Sequence, residues 1–135
     1  MKSSLRQVLE RLGGIAGSIH RTSGDFLCLV DQTGLPDDVV QIIERVPRGK
    51  GMAGQAWLTG KPITTCNIKT DSAAPIEPGA RSVLAKASIA VPIFDDQGDA
   101  VSVIGFAFSD DQPFDEMRID ICRQAAYHLW STLDL

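Results

Sequence analysis

The fold of this chain turns on PRGKGMAGQAWLTGKPITTCNIKTD, residues Pro47–Asp71. Gly49, Gly51, Gly54 and Gly60 surround a short apolar segment, and Lys61-Pro62 then opens a β-like run. Glycine adopts backbone angles that other residues avoid and lets a ligand approach the main chain closely. A Gly-rich entry into a helix leaves its first N–H groups without partners, and the helix dipole behind them favours a negatively charged ligand group. A tight turn that merely starts a helix has the same pattern, so the stretch alone leaves both readings open.

The surrounding 135 residues fit one domain, 1–135, with room for a real core. Apolar residues at 44% and charged residues at 22% match a soluble globular protein. No apolar run approaches the ~20 residues a bilayer span needs, so no membrane partner is expected. The opening MKSSLRQVLERLGG carries charges through its apolar positions, unlike a signal peptide. A net charge of −4 argues against a nucleic-acid surface. Cys28, Cys66 and Cys122 are odd in number and lack C-x-x-C spacing. They imply reduced thiols in the cytoplasm, with no disulfide framework and no metal site.

Outward from the Gly-rich stretch, Met52–Leu58 predicts a short helix and Ile63–Cys66 a short strand. Upstream, residues 3–13 predict a helix from the spacing of Leu5, Val8, Leu9 and Leu12, ended by Gly13-Gly14. Ile15–Arg21 and Asp25–Val30 predict a hairpin around Thr22-Ser23-Gly24. Val39–Val46 fits either period and is read as a strand, because Pro47 and the glycines follow so soon. Downstream, Ser72–Arg81 holds Pro75, Pro78 and Gly79 and predicts a long loop; a helical turn is allowed over Ser82–Ala87. Ser88–Phe94 and Val101–Phe108 predict strands joined by the Asp95–Asp99 turn, with Pro92 marking an edge, a bulge or a ligand-facing break. Pro113–Leu133 predicts a long closing helix capped by Asp115. The expected class is α+β: a central antiparallel sheet, terminal helices on one face, and the short helix with loops on the other.

Particular residues then carry a family likeness. They are Gly49, Gly51, Ala53-Gly54, the Thr59-Gly60-Lys61-Pro62 turn and Asp71. The block Ser88-Ile89-Ala90-Val91-Pro92-Ile93, Gly98, the run Val103–Phe108 and the closing run Phe114–Leu129 follow in order. Over residues 3–133 this order and spacing resemble the GAF domain, a small sensory module of bacterial signalling proteins. The resemblance implies a ligand pocket between the sheet and the short helix with its loops. Fold does not fix function, so each ligand class has to be tested on these residues.

The cyclic-nucleotide pattern of the family is not matched, since Ile68 separates Asn67 from Lys69 and Phe114-Asp115-Glu116 has the wrong spacing. His20 and His128 lie on terminal elements, poorly placed for a bilin or a haem ligand, and no cofactor is expected. The enzymatic branch, reduction of free methionine sulfoxide, needs a low-pKa thiolate and a resolving thiol. This chain has no cysteine between Asn67 and Ile121, and only Cys66 suits a pocket wall, so no catalytic residue is assigned. The reductase stays as the alternative function, beside a ligand-free dimerisation module.

What remains is a small-molecule ligand, with nitrate-like anions or carboxylates first. The expected site residues are Met52, Ala53, Gly54 and Trp57 on the short helix, Ile89, Val91 and Ile93 on the sheet, and Arg81. Arg48, Lys50 and Lys86 also lie on segments that flank the pocket in this family. The closing helix has two apolar stripes, one through Met117, Ile121, Ala125 and Leu129, the other through Ile119, Cys122, Ala126, Trp130 and Leu133. The second stripe, with Leu5, Leu9 and Leu12, is expected to form a homodimer through the terminal helices. The alternative is one broad buried face. Without a kinase, cyclase or DNA-binding segment here, the signal is expected to pass to a separate protein.

Overall fold

The computed structural model of the protein describes residues 4–66 and 86–133. In chain order these are α1 (Ser4–Leu12), β1 (Ala16–Ser23), β2 (Phe26–Thr33), α2 (Asp37–Ile43), β3 (Arg45–Pro47) and α3 (Gly51–Thr59), then β4 (Ile63–Cys66), β5 (Ala87–Phe94), β6 (Ala100–Phe108) and α4 (Glu116–Thr132). The strands form one six-stranded sheet in the order β3-β2-β1-β6-β5-β4. Every neighbouring pair is antiparallel. The arrangement is α+β.

Strand alternation assigns the two faces. Ile19 of β1, Ile104, Phe106 and Phe108 of β6, and Ile89, Val91 and Ile93 of β5 turn to the face covered by α1 and α4. There they meet Leu5, Val8 and Leu9 from α1 and Cys122, Ala126 and Leu129 from α4, all buried. Each such aliphatic or aromatic side chain contributes about 1.5–3 kcal/mol on burial, which makes this face the main core. The N-terminus of α4 is fixed by Asp115, whose carboxylate accepts from the Arg118 amide at 2.8 Å. The Arg118 guanidinium lies over the rings of Phe108 and Phe114, 4.6 and 4.4 Å from their centroids.

The opposite face is covered by α2 and α3. A second cluster gathers Leu27, Val46, Ala56, Ala90 and Val103, with Ile43, Met52, Ala53, Trp57 and Ile63 packed on it. Here the strand expected over Val39–Val46 is corrected. Residues 37–43 are helical and only Arg45–Pro47 is a strand. Asp37 and Asp38 occupy the first helical turn, where carboxylates complement the dipole. Val39 and Ile43, four residues apart, pack on one face with Leu35 and Ala107. That burial outweighs the β preference of Val39, Val40, Ile42 and Ile43.

The closing helix also differs from expectation. Cys122, Ala126 and Leu129 are buried, and Ile119, Ala125, Trp130 and Leu133 pack against the same core. The stripe expected at a dimer interface is therefore largely one broad inward face. Met117 (73% exposed) and Ile121 (51%) are the apolar residues α4 leaves most open. The expected loop at 72–81 and most of the turn at 82–87 lie outside the described residues. Among the described residues, no helix is long and apolar enough to cross a membrane.

Candidate functional site

A cavity of about 150 Å³ lies between the sheet and the α2–α3 layer. Its origin is legible in the strand register. Ser18 of β1 pairs with Gly105 of β6, and Gly105 pairs with Ala90 of β5. The next row pairs Ala16 with Ala107 and Ala107 with Ser88. All six line the cavity, so the floor is paved with glycine, alanine and serine while the other face of the same strands carries Ile and Phe. A Cβ on Gly105 would sit 3.1 Å from Ser18 Oγ, inside ordinary contact distance. Val39 and Ile43 from α2, Val46 from β3, and Lys50, Gly51, Met52 and Ala53 around the start of α3 complete the walls.

The Gly-rich loop sets the α3 start. Gly49 and Gly51 take φ values of 88° and 64°, a region that favours glycine. Gly49 donates to the carbonyl oxygen of Gly54 at 2.9 Å, and its own carbonyl accepts from Gln55 Nε2 at 2.6 Å. Gly54 is needed for closeness, since a Cβ there would lie 2.6 Å from the Pro47 carbonyl oxygen. No side chain caps α3. Its first N–H groups therefore lack intrahelical partners, and this uncapped turn forms part of the cavity wall beside Lys50.

His20, on β1 one row beyond Ser18, is the polar feature of the wall. It lines the cavity and is 2% exposed. Its Nε2 donates to the Ile43 carbonyl oxygen at 2.7 Å. That partner fixes the proton on Nε2 in the neutral ring and leaves Nδ1 as an acceptor. Nδ1 is buried and has no hydrogen-bond partner. An unanswered buried polar atom costs about 1–3 kcal/mol. Burial lowers the His20 pKa below the ordinary 6.5, partly offset by the bond to Ile43. The β1–β2 register shifts between Ile19 and His20, while the β1–β6 register runs unbroken through both residues.

The expected site residues fall in three places. Met52 and Ala53 are on the cavity wall. Gly54 serves the loop contact. Trp57 instead meets Arg48, whose guanidinium lies 5.1 Å from the ring centroid, in a separate surface depression with Leu58, Gly60 and Phe94. Ile89 reaches the cavity edge, but its side chain joins Val91 and Ile93 in the helix-side core. The expectation that these three wall the cavity holds for Ile89 at its edge and fails for Val91 and Ile93: alternation turns their side chains to the other face, and Ser88 and Ala90 are presented instead. Arg81 lies outside the described residues, as do Asn67, Lys69 and Asp71. Lys50 lines the cavity and Lys86 is exposed at the start of β5.

Thiols are remote from the cavity where their side chains are described. Cys122 is buried on the α1–α4 side, and burial pushes its thiol pKa up against a smaller lowering by Arg118. Cys28 is half-buried on β2, paired with Arg21 and Arg45. Neither lines the cavity. Among the described residues, no group of three or more His, Cys, Asp or Glu could hold a metal ion.

The free methionine-R-sulfoxide reductase of Neisseria meningitidis, solved with its substrate, superposes with a TM-score of 0.74 at 22% identity, over 95% of this chain and 72% of that one. The GAF domain of a phosphoenolpyruvate-protein phosphotransferase from Coxiella burnetii gives 0.75 at 20% identity, over 94% and 76%. The type II free methionine-R-sulfoxide reductase of Thermoplasma acidophilum gives 0.73 at 15% identity, over 93% and 84%. At these identities the likeness shows the fold. No curated protein matches the sequence. The sequence profile of the GAF domain matches residues 1–134, and the chain belongs to the GAF domain family.

Proposed function

We propose that this domain binds a compact small molecule in the cavity between the sheet and α2–α3, and reports its presence through protein contacts. One observation carries the reading: a space of about 150 Å³ held over a floor of Gly, Ala and Ser. Ligand sites are concave and mostly apolar, and a space of this order accommodates a benzene-sized molecule. Nitrate would leave most of it unfilled. A carboxylate on an apolar body fits better, its oxygens toward Lys50 and the uncapped α3 start, its body over Ala16, Ala90 and Ala107.

The test is a thermal-shift panel of aliphatic and aromatic acids, amino acids, nitrate and nucleotides on the full chain. A ligand at ~100 times its dissociation constant adds ~2.7 kcal/mol of stability. Ala107→Leu, which fills the floor, should abolish the shift. A panel without any response, or a response that survives Ala107→Leu, contradicts the reading.

A second reading, thiol-dependent reduction of free methionine sulfoxide, draws on the likeness to the two reductases. With Cys28 and Cys122 away from the cavity, Cys66 would have to be the nucleophile. Turnover lost in Cys66→Ser alone would establish it, and no turnover by the unaltered chain would reject it. A reducing cytoplasm suits three thiols without disulfide spacing. The proposed homodimer through the terminal helices would have to use Met117 and Ile121, the most open apolar residues of α4, with Tyr127 next to them in exposure.

A further inference from the structure

Among the described residues, His20 Nδ1 is the buried side-chain nitrogen or oxygen left without a hydrogen-bond partner. The imidazole stands on the wall of an otherwise largely apolar cavity, with its other nitrogen committed to Ile43. Buried polar atoms are almost always answered, and one that is not calls for a partner. Resting on the cavity-binding reading, we propose that the ligand carries a hydroxyl or N–H donor on its apolar body and, by pressing aside the wall that covers Nδ1 of His20, gives that hydrogen to it.

The chemistry follows from which proton is where. With Nε2–H held by the Ile43 carbonyl, Nδ1 offers only a lone pair. It repels a carboxylate oxygen and receives O–H or N–H. Burial favours the neutral ring, so His20 acts as an acceptor and not as a cation. Lys50 is the only other titratable side chain among the described lining residues. An anionic group therefore belongs at the Lys50 and α3 end, and a neutral donor at the His20 end. The class is a small acid or neutral molecule with a separate hydroxyl or N–H, such as a phenol or a hydroxyaryl acid. An apolar pocket alone separates hydroxyl from methyl weakly, whereas a buried acceptor discriminates strongly.

The experiment uses two pairs that differ by hydroxyl against methyl: 4-hydroxybenzoate with 4-methylbenzoate, and phenol with toluene. Calorimetric titration of the full chain should show the hydroxyl member of a pair binding about tenfold tighter. In 15N spectra of the unaltered protein, the Nδ1 resonance should move upfield with the hydroxyl member and stay in place with the methyl member. His20→Phe, checked for folding by circular dichroism, should erase the preference while the methyl member still binds. Equal affinities within a pair, a preference that survives His20→Phe, or an Nδ1 signal unmoved by a bound phenol overturns the donor assignment and leaves the cavity reading standing. No binding by any of the four also overturns it. The cavity reading is judged separately, by whichever panel molecule responds and by Ala107→Leu.

Discussion

The imidazole of His20 in β1 is hydrogen-bonded through Nε2 to the carbonyl oxygen of Ile43, the last residue of α2, at 2.7 Å. The bond spans 23 positions of sequence and ties the sheet to the helix on the far side of the cavity. It also orients the ring, leaving the lone pair of Nδ1 on the buried side. A molecule that engages Nδ1 acts on a ring already attached to α2, which gives occupancy a direct route to a surface helix.

Stability should fall with acidity, and His20 should account for part of it. Its folded pKa is lowered by burial, with the Ile43 bond offsetting only part, from an ordinary 6.5. Below that value the unfolded chain takes up the proton and the folded one resists it, so unfolding gains. The contribution is therefore complete above pH 6.5 and declines as pH drops from there toward the lower folded pKa. Urea midpoints from about pH 8 to about pH 5 should show this slope. In His20→Phe it should flatten, and an unchanged slope would remove His20 as the cause.

Gly54→Ala should destabilise, against helix propensity. In an open helix the change gains about 1 kcal/mol. Here the new Cβ would sit 2.6 Å from the Pro47 carbonyl oxygen and 3.0 Å from the Gly49 nitrogen, both backbone atoms. A net loss of about 1–3 kcal/mol is expected in chemical denaturation. A stabilised variant would show that the loop does not hold this closeness.

Cys28→Ala and Cys122→Ala should leave ligand affinity unchanged, because neither residue lines the cavity. Cys122→Ser should lower the unfolding midpoint, since it places a hydroxyl in a buried apolar cluster. The Cys122 thiol should also resist alkylation until the protein unfolds. Titration calorimetry and a timed alkylation assay check both points.

Trp130→Glu should lower stability, because Trp130 packs against the main core. If copies pair through α4, Ile121→Glu should instead give a folded monomer, as Ile121 is half exposed. Light scattering decides: a dimer made monomeric by Ile121→Glu supports the pairing, and a monomeric unaltered chain rejects it.

Much of this architecture was legible in the chain because local signals agreed with the fold. Leu5, Val8 and Leu9 mark the buried stripe of α1, Asp115 caps α4, and Gly49, Gly51 and Gly54 predict the tight entry to α3. The misreadings have physical causes. Val39–Val46 is β-branched, but the buried face through Val39 and Ile43 overrides propensity and makes most of it helical. Val91 and Ile93 look like pocket residues because they are large and apolar. Large residues fill space, and a cavity needs small ones, so the signal was the interleaved Ser88 and Ala90 with Gly105 and Ala107. His20 reads as poorly placed for a ligand because it lies on a terminal element, far in sequence from the Gly-rich loop. Its alternation with Ala16 and Ser18 would have placed it on the same face.

The most direct test of the account is a methyl NMR titration of the full chain with the panel molecule that gives the largest thermal shift. The account predicts saturable shifts at the methyls of Ala16, Met52, Ala90 and Ala107, with Leu5, Val8 and Val91 on the far side of the sheet unmoved. Shifts confined to Leu58 beside Trp57, or to Leu5 and Val91, would contradict a ligand site in this cavity.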